Sequence, residues 1–103
     1  MSTTDELLKG ILAAVARQTF PPQTLAKIVV GNNGSAKHLL AYNLCDGATP
    51  QTEICKKTKL DPGNFSRSLT RWIESGVVIR VGSERLPLHV YPLSKTDTAA
   101  ERK

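Results

Sequence analysis

Cysteine is scarce in this 103-residue chain: Cys45 and Cys55 are the whole supply, and they form no CxxC pair. Two thiols are too few for a disulfide scaffold. With His38 and His89 far apart in sequence, no ligand-spaced cluster remains for a zinc site, so no metal is expected. Both thiols read as buried, and the histidines read as one surface and one strand residue. Long hydrophobic runs are missing too. Nothing approaches the roughly 20 apolar residues of a membrane-spanning helix, so no membrane partner is expected. The chain opens with Asp5 and Glu6 where a signal peptide carries basic residues, and the short "GILAAVA" is followed by Arg17. A signal peptide is therefore not expected, and a reducing cytoplasm is the expected compartment. Catalytic signatures are absent as well: GxSxG, HExxH, GxGxxG and the P-loop do not occur, and "GNNGS" lacks the Lys-Ser/Thr that a P-loop needs. The expectation is a non-enzyme without a cofactor.

What is present is positive charge, unevenly placed. The net charge is +5. Residues 1–50 hold 4 basic and 3 acidic side chains, a balance of +1, whereas residues 51–103 hold 10 and 6, a balance of +4. A basic half is compatible with nucleic acid, an anionic surface or plain solubility. The length suits a single domain, with hydrophobic residues at 40 %, and a polar tail at 94–103.

Periodicity divides the chain. Thr3 and Glu6 have capping-box spacing, and Leu7, Leu8, Ile11, Leu12 and Val15 follow at helical spacing, so a helix is expected over 4–18. Pro21-Pro22 stops it. "QTLAKIVV" fits a second helix over 22–30, with a strand as the alternative because of its β-branched end. "GNNGS" is a turn whose Ser35 can cap a third helix. That helix, crowded with Leu39, Leu40, Tyr42, Asn43 and Leu44, is expected to be largely buried and to run to Asp46-Gly47. The leucine-rich stripe Leu7, Leu8, Ile11, Leu12, Val15 either folds onto the chain's own core or pairs with a second copy, and the homodimer is the expected outcome.

The segment "TPQTEICKKTKLDPGNFSRSLTRWIESG", residues 49–76, contains two helix starts. Thr49 is expected to cap one helix with Pro50 at its first position, and Asp61 to cap the next with Pro62. Ile54 and Cys55 mark the inner side of the first, and Leu60 plugs the joint. The second helix puts Phe65, Leu69, Trp72 and Ile73 on one stripe. Two short helices joined this tightly cross steeply, as in a helix-turn-helix. At about 100° per residue, the opposite face of the second helix carries Gly63, Asn64, Arg67, Thr70, Arg71 and Glu74, with Ser66 and Ser68 on the flanks. Arg can grip guanine O6 and N7, and Asn can grip adenine N6 and N7. After Gly76, "VVIRV", the turn-prone "GSERLP" and "LHVYPLS" read as a hairpin.

From Thr49 to Pro92 the chain resembles the winged helix-turn-helix of bacterial and archaeal transcriptional regulators, the MarR-like group especially. "TEICKKTKLDPGNFSRSLTRWIESGVVIRV" is similar to that family's positioning helix, turn, recognition helix and first wing strand. The resemblance implies a mainly α fold with a small β-hairpin wing and extra N-terminal helices. One domain would cover 1–93, with 1–45 supplying the N-terminal helices and 49–93 the DNA-binding motif. It further implies a dimeric regulator of transcription whose partner is double-stranded DNA, with the recognition helix 62–75 in the major groove. The wing tip at 82–87, led by Arg85, would lie on the backbone or minor groove. The implied DNA-contacting residues are Thr49, Gln51, Lys56, Lys59, Pro62, Gly63, Asn64, Ser66, Arg67, Thr70, Arg71 and Arg85. Lys59 stands at the turn position where the family often has glycine. Two other classes remain open: a winged-helix module that binds protein within a larger complex, and a redox or metal sensor using Cys45 and Cys55. A small-molecule effector is left unassigned.

Overall fold

A computed structural model describes residues 3–31 and 36–93. The expected Ser35 cap and the polar tail lie outside the described residues. Among those described, five helices precede a hairpin: α1 (Thr3–Thr19), α2 (Pro22–Val30), α3 (Ala36–Asn43), α4 (Gln51–Thr58), α5 (Pro62–Ser75), β1 (Val78–Val81) and β2 (Leu86–His89). The chain is thus mainly α with a small antiparallel hairpin packed on α5.

α1 exceeds its expected limits by one residue at each end. α2 is a helix despite its Ile-Val-Val ending. Pro22 presets its first turn, Leu25, Ala26 and Val29 bury one face, and Gly31 at φ 69° closes it by donating to the Lys27 carbonyl. α3 differs from expectation in two ways. It buries His38, Ala41 and Tyr42 but leaves Leu40 49 % exposed, so only one face is inside. It also ends at Asn43, because Cys45 to Gly47 is drawn into the sheet. The His89 N–H donates to the Cys45 carbonyl (2.7 Å), the Gly47 N–H donates to the Pro87 carbonyl (2.8 Å), and Asp46 bridges Leu88.

The joint between α3 and α4 corrects the expected Thr49 cap. Pro50 is the cap residue, its carbonyl accepting from Glu53 and Ile54, and Gln51 is the first helical residue. Asp46 has taken the capping chemistry one turn upstream. Its carboxylate accepts the backbone N–H groups of Ala48 and Thr49 (2.9 Å each) and the Thr49 hydroxyl (3.1 Å), the self-contained turn that Asp favours.

Asp61 caps α5 as expected, accepting the Asn64 N–H at 2.9 Å, with Pro62 at the first position. Between α4 and α5, Lys59 adopts φ 60°, ψ 30°, the left-handed conformation that glycine takes without strain. α5 ends at Gly76, φ 85°, whose N–H donates to the Ile73 carbonyl. Phe65, Ser68, Leu69 and Trp72 are buried, and Ile73 is half-buried against the same core. Trp72 stands edge-on to Tyr42 (5.7 Å between ring centres) and to Phe65 (6.0 Å), the favoured aromatic geometry. Its indole N–H donates to the Val29 carbonyl at 3.1 Å.

The hairpin pairs Val78 with His89 and Val81 with Leu86. Its turn is Gly82 to Arg85, tighter than the expected 82–87 tip. Gly82 (φ 75°) and Arg85 (φ 55°) let the chain reverse within four residues, so Leu86 joins β2 and Pro87 is buried. Beyond β2 the chain straps the helices together. The Tyr42 hydroxyl donates to the Tyr91 carbonyl, the Tyr91 hydroxyl to the Phe20 carbonyl, and the Asn43 amide pairs with both the N–H and C=O of Leu93.

The Lys59 strain predicts the outcome of two substitutions. Relief of a Cβ clash worth roughly 1–2 kcal/mol, offset by about 0.5–1 kcal/mol of added unfolded-chain entropy, should make Lys59→Gly neutral to stabilising. Lys59→Val, being β-branched, should lower the melting temperature. Thermal unfolding of both variants decides, and a clear loss with glycine would contradict the strain.

Three groups give the fold its acid sensitivity: Asp46, His89 and the buried His38, whose pKa is lowered by burial and then by the Arg71 charge. Burial pushes the Asp46 carboxyl up, but the hydrogen bonds from Ala48 and Thr49 outweigh it and hold the group below its ordinary 3.8. His89 is held below 6.5, by burial first and by the Lys9 charge, against the opposing hydrogen bond to the Tyr42 carbonyl and the Asp46 charge. All three folded values are depressed, so each contribution is complete above the unfolded value and is lost as pH falls through the folded one. Stability should start to fall below about pH 6.5 through His89 and His38 and fall again below about 3.8 through Asp46. Asp46→Ala should remove the second decline in a series of melting curves taken against pH.

Candidate nucleic-acid interface

The turn at Lys59 and the Asp61 cap fix where α5 starts, and the Phe65-Leu69-Trp72 stripe fixes its rotation. What remains outside is a continuous exposed face: Pro62, Gly63, Asn64, Ser66, Arg67, Thr70, Arg71 and Glu74 are all exposed. Ser68, expected on the flank, is buried. A Cβ added at Gly63 would lie 3.8 Å from Arg67 Nη1 and 3.3 Å from Asp61 Oδ2. The Arg67 guanidinium therefore folds back over the first turn of α5, near the capping carboxylate. That places a planar five-donor group at the end of the helix where backbone N–H groups also point outward.

Lys56, Lys57 and Lys59 are exposed at the end of α4 and in the turn. Arg85 is exposed in the hairpin turn beside Glu84, and the half-buried Arg80 donates to the Arg85 carbonyl (3.1 Å), bracing that turn from below. This arrangement can grip phosphates from two loops and present Asn64, Ser66 and Arg67 to base edges.

Three of the expected contact residues sit differently. Arg71 is exposed, as helical periodicity expects, but its Nη2 is tethered to the Val29 carbonyl at 3.2 Å, beside Gly31. The carbonyl at the end of α2 lacks a helical partner and collects both Arg71 and Trp72. Thr49 is half-buried with its hydroxyl committed to Asp46, and Gln51 is half-buried. Asp46 itself, which organises this whole joint, went unnoticed. Its signal was an Asp followed by Gly between two helices.

On the stripe of α1, Leu7, Leu8, Ile11 and Val15 are 59–62 % exposed, whereas Leu12 turns inward and packs on the core. His38, expected on the surface, is buried on α3, and burial followed by the Arg71 charge lowers its pKa. Among the described residues no three His, Cys, Asp or Glu side chains are grouped to hold a metal, and no helix is long and apolar enough to cross a membrane. No protein family, curated protein or solved structure matches this chain.

The thiols bear on the sensor reading. Burial, reinforced by the Asp46 charge and only partly offset by Arg80, pushes Cys45 up to about 12. Burial and the Asp61 charge raise Cys55 as well. A reactive thiol needs the opposite environment. In the folded protein neither cysteine should react quickly with a thiol reagent at neutral pH, and both should react once the chain unfolds. One fast thiol in a native titration would reverse this.

Proposed function

We propose that this chain is a winged helix-turn-helix protein that binds double-stranded DNA and regulates transcription in the cytoplasm. α5 is the helix that enters the major groove, while α4 and the hairpin turn hold phosphates. The observation that carries the reading is the exposed face of α5. Gly63, Asn64, Ser66 and Arg67 lie in its first half, on a helix whose opposite arc is locked by Phe65, Leu69 and Trp72. The first half of such a helix is the part that reaches bases. The order of elements supports it: a helix, a short extended segment at Cys45–Gly47, two helices joined by a tight turn, then a hairpin whose second strand pairs with that segment. In this reading Thr49, Gln51 and Arg71 serve the scaffold that aims α5, and the contacts fall to the exposed set with Lys56, Lys59 and Arg85. The chain performs no catalysis in this reading and needs no cofactor.

A second reading has one specific observation behind it. Carboxylates sit beside two of the cations, Asp61 at Arg67 and Glu84 at Arg85. Such interleaving weakens an anion site and suits a protein surface.

Arg67→Ala separates the two readings. Its side chain is exposed, so stability should change by no more than about 0.5 kcal/mol. Specific binding to a site selected from random duplexes should weaken roughly tenfold or more, from a loss of about 1–3 kcal/mol of discrimination. Binding to unrelated duplex should fall less, since Lys56 and Lys57 still meet phosphate, and Arg67→Lys should rescue only in part. If the parent protein shows no salt-dependent duplex binding, or if Arg67→Ala binds its selected site unchanged, the protein-binding reading takes over.

A further inference from the structure

Asp61 puts a negative charge on the exposed tip of α5, where a duplex would bring phosphates that repel it. Its Oδ2 accepts the Asn64 N–H at 2.9 Å. That bond uses one of the roughly four lone-pair sites of a carboxylate and holds the group in a set place. Asn and Ser cap a helix about as well as Asp and carry no charge, so capping alone does not account for a carboxylate here. Gly63 is a second peculiarity. Its φ is negative within α5, so the backbone does not call for glycine, and alanine is the better helix former. The missing side chain instead keeps a gap. A Cβ there would stand 3.3 Å from Asp61 Oδ2, so that the carboxylate would have to give way, and 3.8 Å from Arg67 Nη1. A carboxylate and a guanidinium thus flank one bare stretch of backbone.

We infer that Asp61 is a specificity-determining residue of this face, accepting a hydrogen bond from the amino group of a cytosine next to the guanine that Arg67 grips. This rests on the DNA-binding reading of α5. The two groups are separated by about one to two base-pair rises of 3.4 Å, so they meet neighbouring pairs. In the major groove guanine offers acceptors at N7 and O6, and cytosine offers the N4 donor. Arg67 has only donors and an ionised Asp61 only acceptors, so each matches one of the two bases. Adenine, whose N6 also donates, is the next best partner for Asp61. Guanine O6 and thymine O4 are acceptors, and the carboxylate rejects them by repulsion, which discriminates as effectively as attraction. The same charge weakens binding to every unrelated duplex through its phosphates. Asp61 therefore lowers non-specific affinity and sharpens the choice of site.

Selection from random duplexes by the full chain, by Asp61→Ser and by Asp61→Asn tests this. Both replacements keep a cap of similar strength, so the melting temperature should hardly change. The parent should select cytosine beside the guanine that Arg67→Ala ceases to select. Asp61→Ser should lose roughly tenfold in discrimination at the cytosine position, yet bind unrelated duplex more tightly than the parent. Asp61→Asn can cap through its amide oxygen and turn its NH2 outward, so its preference at that position should move to a keto base, guanine or thymine. If both variants bind all sequences more tightly by one common factor, with the parent's base preferences intact, Asp61 is a cap only and the inference is overturned while the DNA-binding reading stands. A parent that binds no duplex overturns that reading, and this inference with it.

Discussion

The Val29 carbonyl, at the open end of α2, is the point on which the helical body converges. It accepts the Trp72 indole N–H and the Arg71 guanidinium, both from α5. The Trp72 ring is at the same time held edge-on by Tyr42 of α3 and by Phe65 about two turns earlier on α5. One side chain thus ties three helices and sets the rotation of the fourth surface, the one that stays exposed. Truncating a buried Trp costs on the order of 3–5 kcal/mol. Here the loss would also leave a buried carbonyl with one partner fewer and free α5 to turn about its axis.

The β-rich end is organised by a different device, backbone pairing across a gap in the chain. Cys45 to Gly47 lies along β2, so the break between α3 and α4 becomes a rung of the sheet. Asp46 makes the rung possible by supplying acceptors to the N–H groups of Ala48 and Thr49, while the Gly47 N–H goes to Pro87. Asn43 then extends the principle with a side chain: its amide offers Leu93 the same donor and acceptor as a neighbouring strand. The hairpin is therefore held from α3 on one flank and α5 below, which keeps its turn in a fixed place despite strands of four residues each.

Much of this was legible in the residues. The Asp61-Pro62 start, the Phe65-Leu69-Trp72 stripe and the Gly76 stop are local signals with local causes, and the structure follows them. The unclear Pro22–Val30 segment was decided by burial of Leu25, Ala26 and Val29, a tertiary fact. The features that periodicity does not reach share a cause. Arg71, Thr49 and the end of α3 all depend on a partner distant in sequence or one turn upstream: Val29 for Arg71, Asp46 for Thr49, and His89 and Pro87 for Cys45 and Gly47. Helical periodicity assigns a side chain to a face but cannot see which neighbour crosses that face.

Arg71 has a geometric consequence for any ligand that meets α5. Its guanidinium is turned onto the end of α2 although the residue is exposed, whereas Arg67 leans back over the first turn of α5. A hydrogen bond to a neutral carbonyl leaves the Arg71 charge in place but commits one of its five donors. The two cations of α5 therefore differ in freedom rather than in charge: one is tethered to a neighbouring helix in a set orientation, and the other can swing.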